Sequence, residues 1–388
     1  MKQVRLGECL QQVATWNPVR NDKLETFTYI DIGAVDQQHK KIIKPQTVKC
    51  AEAPSRARQL VKLNDVLVST VRPNLNAVAL IQEELDNATA STGFCVLRAN
   101  TELIEPAYLF NWVKSARFVS EMVKKATGAS YPAVSDKIIC DSIIKLPSLL
   151  EQKKTAAILD KAAKVREKRA QVAATLDDLV HSKFIQMFGH PATNSKKLPL
   201  VKLGEIGSWH SGGTPSRTRK KYFEGELPWF SSGELNSMYV YESIEHISED
   251  AIKNTAAKLV KQGSLMLGMY DTAALKTSIA GKDCSCNQAI AFAEIDASII
   301  STTYAYHAIL IGREHFRRLQ RGVRQKNLNL DLIKNIQIPK PLQKDLDNFE
   351  SFLHEVIKAR KENAKAYATS DELFASLQHQ AFTTGFTA

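Results

Sequence analysis

The fold class read from this 388-residue sequence is α+β. Two tandem copies of a mixed α/β domain are expected, with two long helices that pair as an intramolecular antiparallel coiled coil. Three observations carry this reading. Landmarks recur at half the chain length. Each half opens on short apolar runs between turn residues. Each half closes on a long helical stretch whose apolar residues are spaced by threes and fours.

The repeat comes first, because a missed repeat mis-assigns the whole fold. Val4-Arg5-Leu6-Gly7-Glu8 returns as Val201-Lys202-Leu203-Gly204-Glu205, 197 residues later. Gly128 and Pro147, which bracket a polar turn and an apolar run, return as Gly322 and Pro339, at offsets of 194 and 192. Leu179 and Phe184 return as Leu377 and Phe382, an offset of 198. Separate landmarks thus agree on a tandem duplication.

Within the halves, Phe27–Ile32, Asp65–Val71, Ala77–Ile81, Ser264–Tyr270 and Ala289–Ala293 are short and rich in β-branched and aromatic residues, which predicts strands. Pro106–Lys125 repeats its apolar residues at helical spacing and reads as a helical piece. The first long helix is expected from about Leu150 to Phe188, stopped by Gly189-His190-Pro191. Its seam reads Ile158, Ala162, Val165, Arg169, Val172, Leu176, Leu179. The second is expected from about Lys344 to Gln380, with Phe349, Phe352, Val356, Ala359, Asn363, Ala366, Ser370, Leu373 and Leu377 in the seam. One such helix alone would read as an amphipathic helix packed on its own domain. Two at equivalent places argue for a pair. The expected divisions are 1–149 and 191–340 for the domains, and 150–190 and 341–388 for the helices.

Such an object measures distance. A helix of about 30 residues spans about 45 Å, more than the roughly 34–36 Å of one B-DNA turn. Two different modules held that far apart could each read a short half-site of an asymmetric target.

Composition fits this. Lys and Arg outnumber Asp and Glu by 52 to 41, a formal charge of +11 that favours an anionic partner, with nucleic acid first. The six cysteines have no zinc-site spacing, so no metal is expected. Met1–Val13 has no apolar core of a signal peptide. The apolar stretch Ala289–Ile311 carries Glu294, Asp296 and His307 and reads as sheet strands, not a membrane span. A cytoplasmic protein is expected. No P-loop, G-x-S-x-G elbow or methyltransferase motif appears. The E-x-K spacing of Glu362 and Lys365 lies in the second long helix and reads as surface charge.

Local motifs go further. Trp209-His210-Ser211-Gly212-Gly213-Thr214-Pro215 is followed by Pro228-Trp229-Phe230-Ser231-Ser232-Gly233-Glu234-Leu235, and later by Cys286-Asn287-Gln288-Ala289-Ile290. The first half has Asp65–Asn74 and Leu146-Pro147…Glu151-Gln152. Their order resembles the type I restriction–modification specificity subunits over essentially the whole chain. Half one departs from it at Thr15-Trp16-Asn17-Pro18, and half two at Tyr270-Asp271-Thr272 and at Pro341-Leu342-Gln343-Lys344. The resemblance implies a target recognition domain in each half and two conserved helices. It also implies binding to double-stranded DNA and assembly with two methyltransferase (modification) subunits and with restriction/translocase subunits. No cofactor is implied in this chain; S-adenosylmethionine, ATP and Mg belong to the partner subunits.

Phosphates are met by Lys, Arg and small hydroxyls, and base edges by Arg, Lys, Asn, Gln and Ser/Thr. The foremost candidate is the loop with Arg217, Arg219, Lys220 and Lys221, followed by Ser231, Ser232, Tyr270, Thr272, Lys276, Arg324 and Lys326. In half one the candidates are Gln37, Gln38, His39, Lys40, Lys41, Arg56, Arg58, Arg72, Asn74, Ser130 and Tyr131. Gly212 and Gly213 are read as serving backbone geometry. The competing functions are an assembly scaffold with little DNA specificity and a module of a single-chain restriction–methylation enzyme.

Overall fold

The computed structural model describes residues 2–21, 23–319 and 327–386. The chain forms two compact units: Met1–Ala170 with Lys365–Ala388, and Gln171–Ala364.

In the first unit, strands Leu10–Gln11, Phe94–Ala99, Val66–Ser69 and Val78–Leu80 form an antiparallel sheet in that order. Strand side chains alternate between faces, and here both faces are buried. Val66, Val68, Cys95 and Leu97 enter a core shared with helix Pro106–Val113, while Leu67, Phe94 and Val96 enter another with Ile30 and Ile81. That is why Asp65–Val71 reads as a near-continuous apolar run. A second sheet orders Gln46–Lys49, Thr26–Ile30, Thr89–Ser91 and Ala57–Leu60, with one parallel pair. The helical piece expected over Pro106–Lys125 is two helices, Pro106–Val113 and Ala116–Lys125. The break falls at Ser115, whose hydroxyl accepts from the Phe118 amide at 3.3 Å and caps the second helix.

The second unit repeats the plan. Strands Gly207–Ser211, Ile290–Ile295, Leu265–Gly268, Thr277–Ala280 and Tyr239–Val240 make one sheet, and Glu245–Ile247, Leu227–Phe230 and Ser285–Cys286 another. Leu265 and Leu267 enter one core and Met266 the other. The apolar stretch read as strands corrects to a strand followed by helix Thr302–Phe316. Ser301 starts that helix by accepting from the Tyr304 amide at 3.2 Å. No helix among the described residues is long and apolar enough to cross a membrane.

The duplication extends to single bonds. Lys2–Arg5 pairs antiparallel with Ile143–Leu146, and Leu200–Lys202 with Gln337–Pro339. Tyr108 Oη donates to the Lys145 carbonyl at 2.9 Å, and Tyr304 Oη to the Pro339 carbonyl at 2.9 Å.

The long helices run Leu149–Phe188 and Gln343–Thr383. Within each unit they pack antiparallel. In the first, Arg166 pairs with Asp371 at 2.5 Å and lies 4.7 Å from the Phe374 ring, while Ala156 and Leu159 share a core with Ala381 and Phe382. In the second, Asp177 pairs with Arg360, and Phe184 meets Phe349 at 5.6 Å. Of the seam expected in the second helix, Phe349, Val356 and Asn363 are buried, but Leu373 is exposed. The first seam needs correction. Ile158, Val165, Val172 and Leu179 are 39%, 49%, 40% and 46% exposed. Leu159 and Val180, each one residue on, are buried instead. One residue is about 100° around a helix. In the second unit Val180 enters the core with Phe184 and Phe188, which pack on Tyr304; in the first, Ala156 and Leu159 enter the core with Phe382.

Phe382 lies 5.3 Å from the rings of both Tyr108 and Trp112. Phe184→Ala and Phe382→Ala are each expected to cost about 3–5 kcal/mol in denaturant unfolding, as large-to-small aromatic core changes do; an unchanged midpoint would show that the helix ends do not support the domains.

His307, 6% exposed, is packed among Phe184, Tyr306 and Phe349. Burial, then the charges of Arg360 and His181, depress its pKa to about 3. The unfolded chain therefore binds a proton that the folded chain refuses. The stability linked to His307 is complete above about pH 6.5 and is lost as pH falls toward 3. Thermal melts between pH 7 and 5 should show a steeper decline for the parent chain than for His307→Leu; parallel declines would exclude His307 as the source.

Candidate nucleic-acid interface

In the first unit, several candidates gather at the turn Pro73–Leu75. Arg72 precedes it with φ 51° and Asn76 follows with φ 45°, both in the left-handed region. Non-glycine residues there cost about 1–3 kcal/mol, a strain found where function needs it. The Arg72 amide is fixed on the Pro132 carbonyl at 2.7 Å, and its guanidinium lies 5.0 Å from the Tyr131 ring. Tyr131 is 71% exposed. A guanidinium on an open aromatic face presents fork donors and a stacking surface together. Asn74 is exposed on the same turn. Lys40, also in the left-handed region, donates from Nζ to the Asn76 carbonyl at 2.6 Å, and burial lowers its pKa.

The remaining first-unit candidates lie apart from this turn. Lys41 pairs with Glu167 at 2.6 Å, and His39 with Asp36 at 2.8 Å. Arg56 is exposed and its charge is felt by Tyr29 on the second sheet. Arg58 donates to the Ala57 carbonyl at 2.7 Å.

In the second unit, the loop 217–221 rests on a small aromatic core of Tyr222, Phe223 and Trp229. Arg217 forks onto Glu245 with two 2.8 Å bonds and lies 5.0 Å from the Phe223 ring. Arg219 donates to Tyr222 Oη at 2.8 Å, and Lys221 pairs with Asp250 at 2.9 Å. These cations hold the Glu245 and Asp250 carboxyls below their ordinary range. Lys220 is exposed and has no ion-pair partner among the described residues. The carboxylates were not visible as partners in the sequence, lying 28 and 29 residues beyond the cations they meet.

A second group sits at the other end of strand Leu227–Phe230. Ser231 is held within its own turn: its hydroxyl and amide both donate to Glu234, at 2.6 and 2.8 Å. Lys276 ties the same turn by donating to the Gly233 carbonyl and to Asn236 Oδ1 at 2.7 Å. Ser232 is half-buried beside them. Tyr270, 38% exposed, bridges to Asn327, and the Thr272 carbonyl accepts from Arg313 at 2.9 Å. Arg324 and Lys326 lie outside the described residues.

Against known proteins, the sequence model of the type I restriction modification DNA specificity domain matches twice, over residues 21–173 and 196–366. The chain belongs to the type I restriction modification DNA specificity family. The EcoR124I/EcoR124II specificity subunit of Escherichia coli is 36% identical over 17% of this chain and 16% of its own length. The HindI specificity subunit of Haemophilus influenzae is 22% identical over 40% and 35%. These stretches span well under half of the curated relatives. A chain from a solved structure on complex assembly and conformational transition of the type I R-M system covers 98% of this chain and 97% of itself, at 26% identity and a TM-score of 0.67.

In this specificity-family chain the recognisable motif residues turn out to be the frame of the site. A Cβ on Gly212 would meet the Cys286 carbonyl oxygen at 2.3 Å, and one on Gly213 the Ala256 carbonyl oxygen at 2.1 Å, so only glycine fits. Trp229 Nε1 donates to the Gly213 carbonyl at 3.0 Å, and Thr214 Oγ1 bonds Gln288. The G-G-T-P, P-W and C-N-Q segments are thus one knot, from which loop 217–221 emerges. In the first unit Glu151 caps Ser148, and Gln152, almost fully buried, bonds the Glu105 amide and the Leu103 and Pro147 carbonyls.

If Arg72 and Tyr131 act together on DNA, Arg72→Ala and Tyr131→Ala should each weaken target-duplex binding by about 1–3 kcal/mol. Only Arg72→Ala should also flatten the log–log salt slope, by about 0.9. Equal slopes for both variants would exclude a phosphate contact by Arg72.

Proposed function

We propose that this chain is the DNA-sequence-recognition subunit of a type I restriction–modification enzyme. It carries no catalytic site of its own. It binds an asymmetric, two-part target in double-stranded DNA, one half-site per recognition domain, with a fixed run of unread base pairs between. The observation that carries the proposal is the family match to both halves, on segments that share a frame and differ in their exposed loops. The first presents Arg72 with Tyr131; the second presents loop 217–221 on an aromatic base. Different side chains on equivalent frames read different bases.

In this proposal two methyltransferase subunits and restriction/translocase subunits supply the chemistry, with S-adenosylmethionine, ATP and Mg bound to them. The exposed aliphatic residues of the first long helix support a protein partner there. In the first unit Ile158 and Val165 are exposed seven residues apart, a spacing that a partner helix could cover.

A scaffold with little DNA specificity is the second reading. It draws on the pairing of Arg217, Arg219 and Lys221 with groups of the chain itself. Co-expression with the cognate methyltransferase in a methylation-free host, followed by single-molecule sequencing for modified bases, separates the two. The expected result is a split, asymmetric motif with one methylated adenine on each strand. Unmodified DNA from an assembled, cofactor-loaded complex would favour the scaffold.

A further inference from the structure

The first unit contains a cavity of about 600 Å³ that no step above uses. It lies where the hairpin Val35–Ile42, the helix Pro106–Val113 and parts of both long helices meet. Pockets of about 300–1,000 Å³ are the size that holds small molecules. The chemistry of the wall is uneven. Five cations, Lys40, Lys41, Lys114, Lys164 and Arg166, face three carboxylates, Glu84, Asp160 and Glu167. Two of those carboxylates are already engaged: Asp160 accepts from Asn111 at 3.1 Å, and Glu167 from Lys41 at 2.6 Å.

Of the cations this leaves without an ion pair or side-chain hydrogen bond among the described residues, Lys164 is exposed and Lys114 is half-buried. Lys114 follows the last turn of helix Pro106–Val113, and its Nζ lies 4.1 Å from the Phe110 ring. Its Nζ has no hydrogen bond or ion pair among the described residues. Its pKa is pushed down to about 8, first by burial and then by the like charges of Lys40 and Arg166, with Asp160 opposing. Asp160 offsets only part of the cost of burying this ammonium, and an anion placed beside it offsets more. Gln378, nine-tenths buried in the same wall, has an amide Nε2 without a hydrogen-bond partner among the described residues.

We propose that this cavity binds a phosphate group, with Lys114 as its principal partner and Lys40 and Gln378 beside it. The donors, two cationic and one neutral, come from different elements: a hairpin, a helix end and a long helix. Donors spread in this way suit a tetrahedral oxyanion better than a planar carboxylate. The remaining wall is partly apolar, with Leu80, Phe110, Tyr367 and Phe374, and the volume far exceeds one phosphate. A phosphorylated small molecule therefore fits the whole cavity. A phosphate of a DNA backbone offers the same charged chemistry. The Gln37–Lys41 loop, read from sequence as facing DNA, has Gln38, His39, Lys40 and Lys41 on the wall of this cavity.

The test uses the full chain, in complex with its methyltransferase if it requires one, and inorganic phosphate and pyrophosphate as probes. Calorimetric titration is run against the parent, Lys114→Met and Gln378→Leu. Lys114→Met keeps the aliphatic stem and removes the charge, and a melt verifies that each variant folds. Saturable millimolar binding that falls at least tenfold in Lys114→Met is expected, with a smaller loss in Gln378→Leu. Binding should take up protons near pH 8 and weaken about tenfold per unit at higher pH, as the ammonium deprotonates. No saturable binding overturns the proposal, and so does binding that is unchanged in Lys114→Met. A duplex arm identifies the source of the phosphate. Loss of target-DNA affinity in Lys114→Met, with pyrophosphate competing against DNA, assigns the DNA backbone. Unchanged DNA affinity assigns a free phosphorylated molecule. Because the small-anion titration involves no DNA, its failure is distinct from any failure of the DNA-recognition reading.

Discussion

Each unit is closed from below by aromatic side chains that belong, in sequence, to the other half. Phe382, near the end of the second repeat, fills the core of the first unit against Tyr108 and Trp112. Phe184 and Phe188, at the end of the first helix, fill the core of the second unit against Tyr304 and Phe349. The two tyrosines so contacted also hold, through their hydroxyls, the strand that leads into a long helix. One ring stack thus ties a core, a closing strand and a helix face in each unit. Neither unit has a complete core without residues from the far half of the chain. Contacts of such sequence separation are slow to form, and the loop-closure entropy they cost must be recovered from burial of these rings.

That constraint explains where sequence patterning succeeded and where it slipped. The strands were legible because sheets buried on both faces leave unbroken apolar runs, as at Val66-Leu67-Val68 and Leu265-Met266-Leu267. The helix lengths were legible because Gly189 and Pro341 punctuate the chain. The inward face of the first helix was not. Ile158, Val165, Val172 and Leu179 make the better heptad on paper, yet Leu159 packs into the core with Phe382 and Val180 into the core with Phe184 and Phe188. Spacing gives the angle between residues; the absolute rotation is set by what they pack against. The helix break at Ser115 shows the same limit. Its capping hydroxyl overrides an apolar periodicity that continues through it.

For the candidate site residues, the sequence shows the side-chain types but not the partners that hold them. Loop 217–221 reads as a bare cationic cluster, but Glu245 and Asp250 come back to it from a different strand and a different helix. Exposed ion pairs of this kind add little stability. They hold a guanidinium in one orientation, and a phosphate could exchange with the carboxylate at small cost. Lys114 shows the converse. Nothing in Asn111-Trp112-Val113-Lys114 marks it as special, and only the packing of hairpin and helices around it takes away much of its water.

The motifs that reveal the family say the least about the target, and the geometry gives the reason. Gly212, Gly213, Trp229 and Cys286 are held at contact distance from neighbouring backbone, where a single added methyl would collide or a single lost bond would leave a buried donor unpaired. Such positions tolerate no change while the frame is kept, so they remain recognisable. The side chains free to change are those the frame leaves outside: Arg72 and Tyr131 on one domain, loop 217–221 on the other. A frame fixed by backbone contacts and loops fixed by little else is the arrangement in which sequence preference can change without the fold changing. It is also why the fold could be read from the motifs, while a base preference could not.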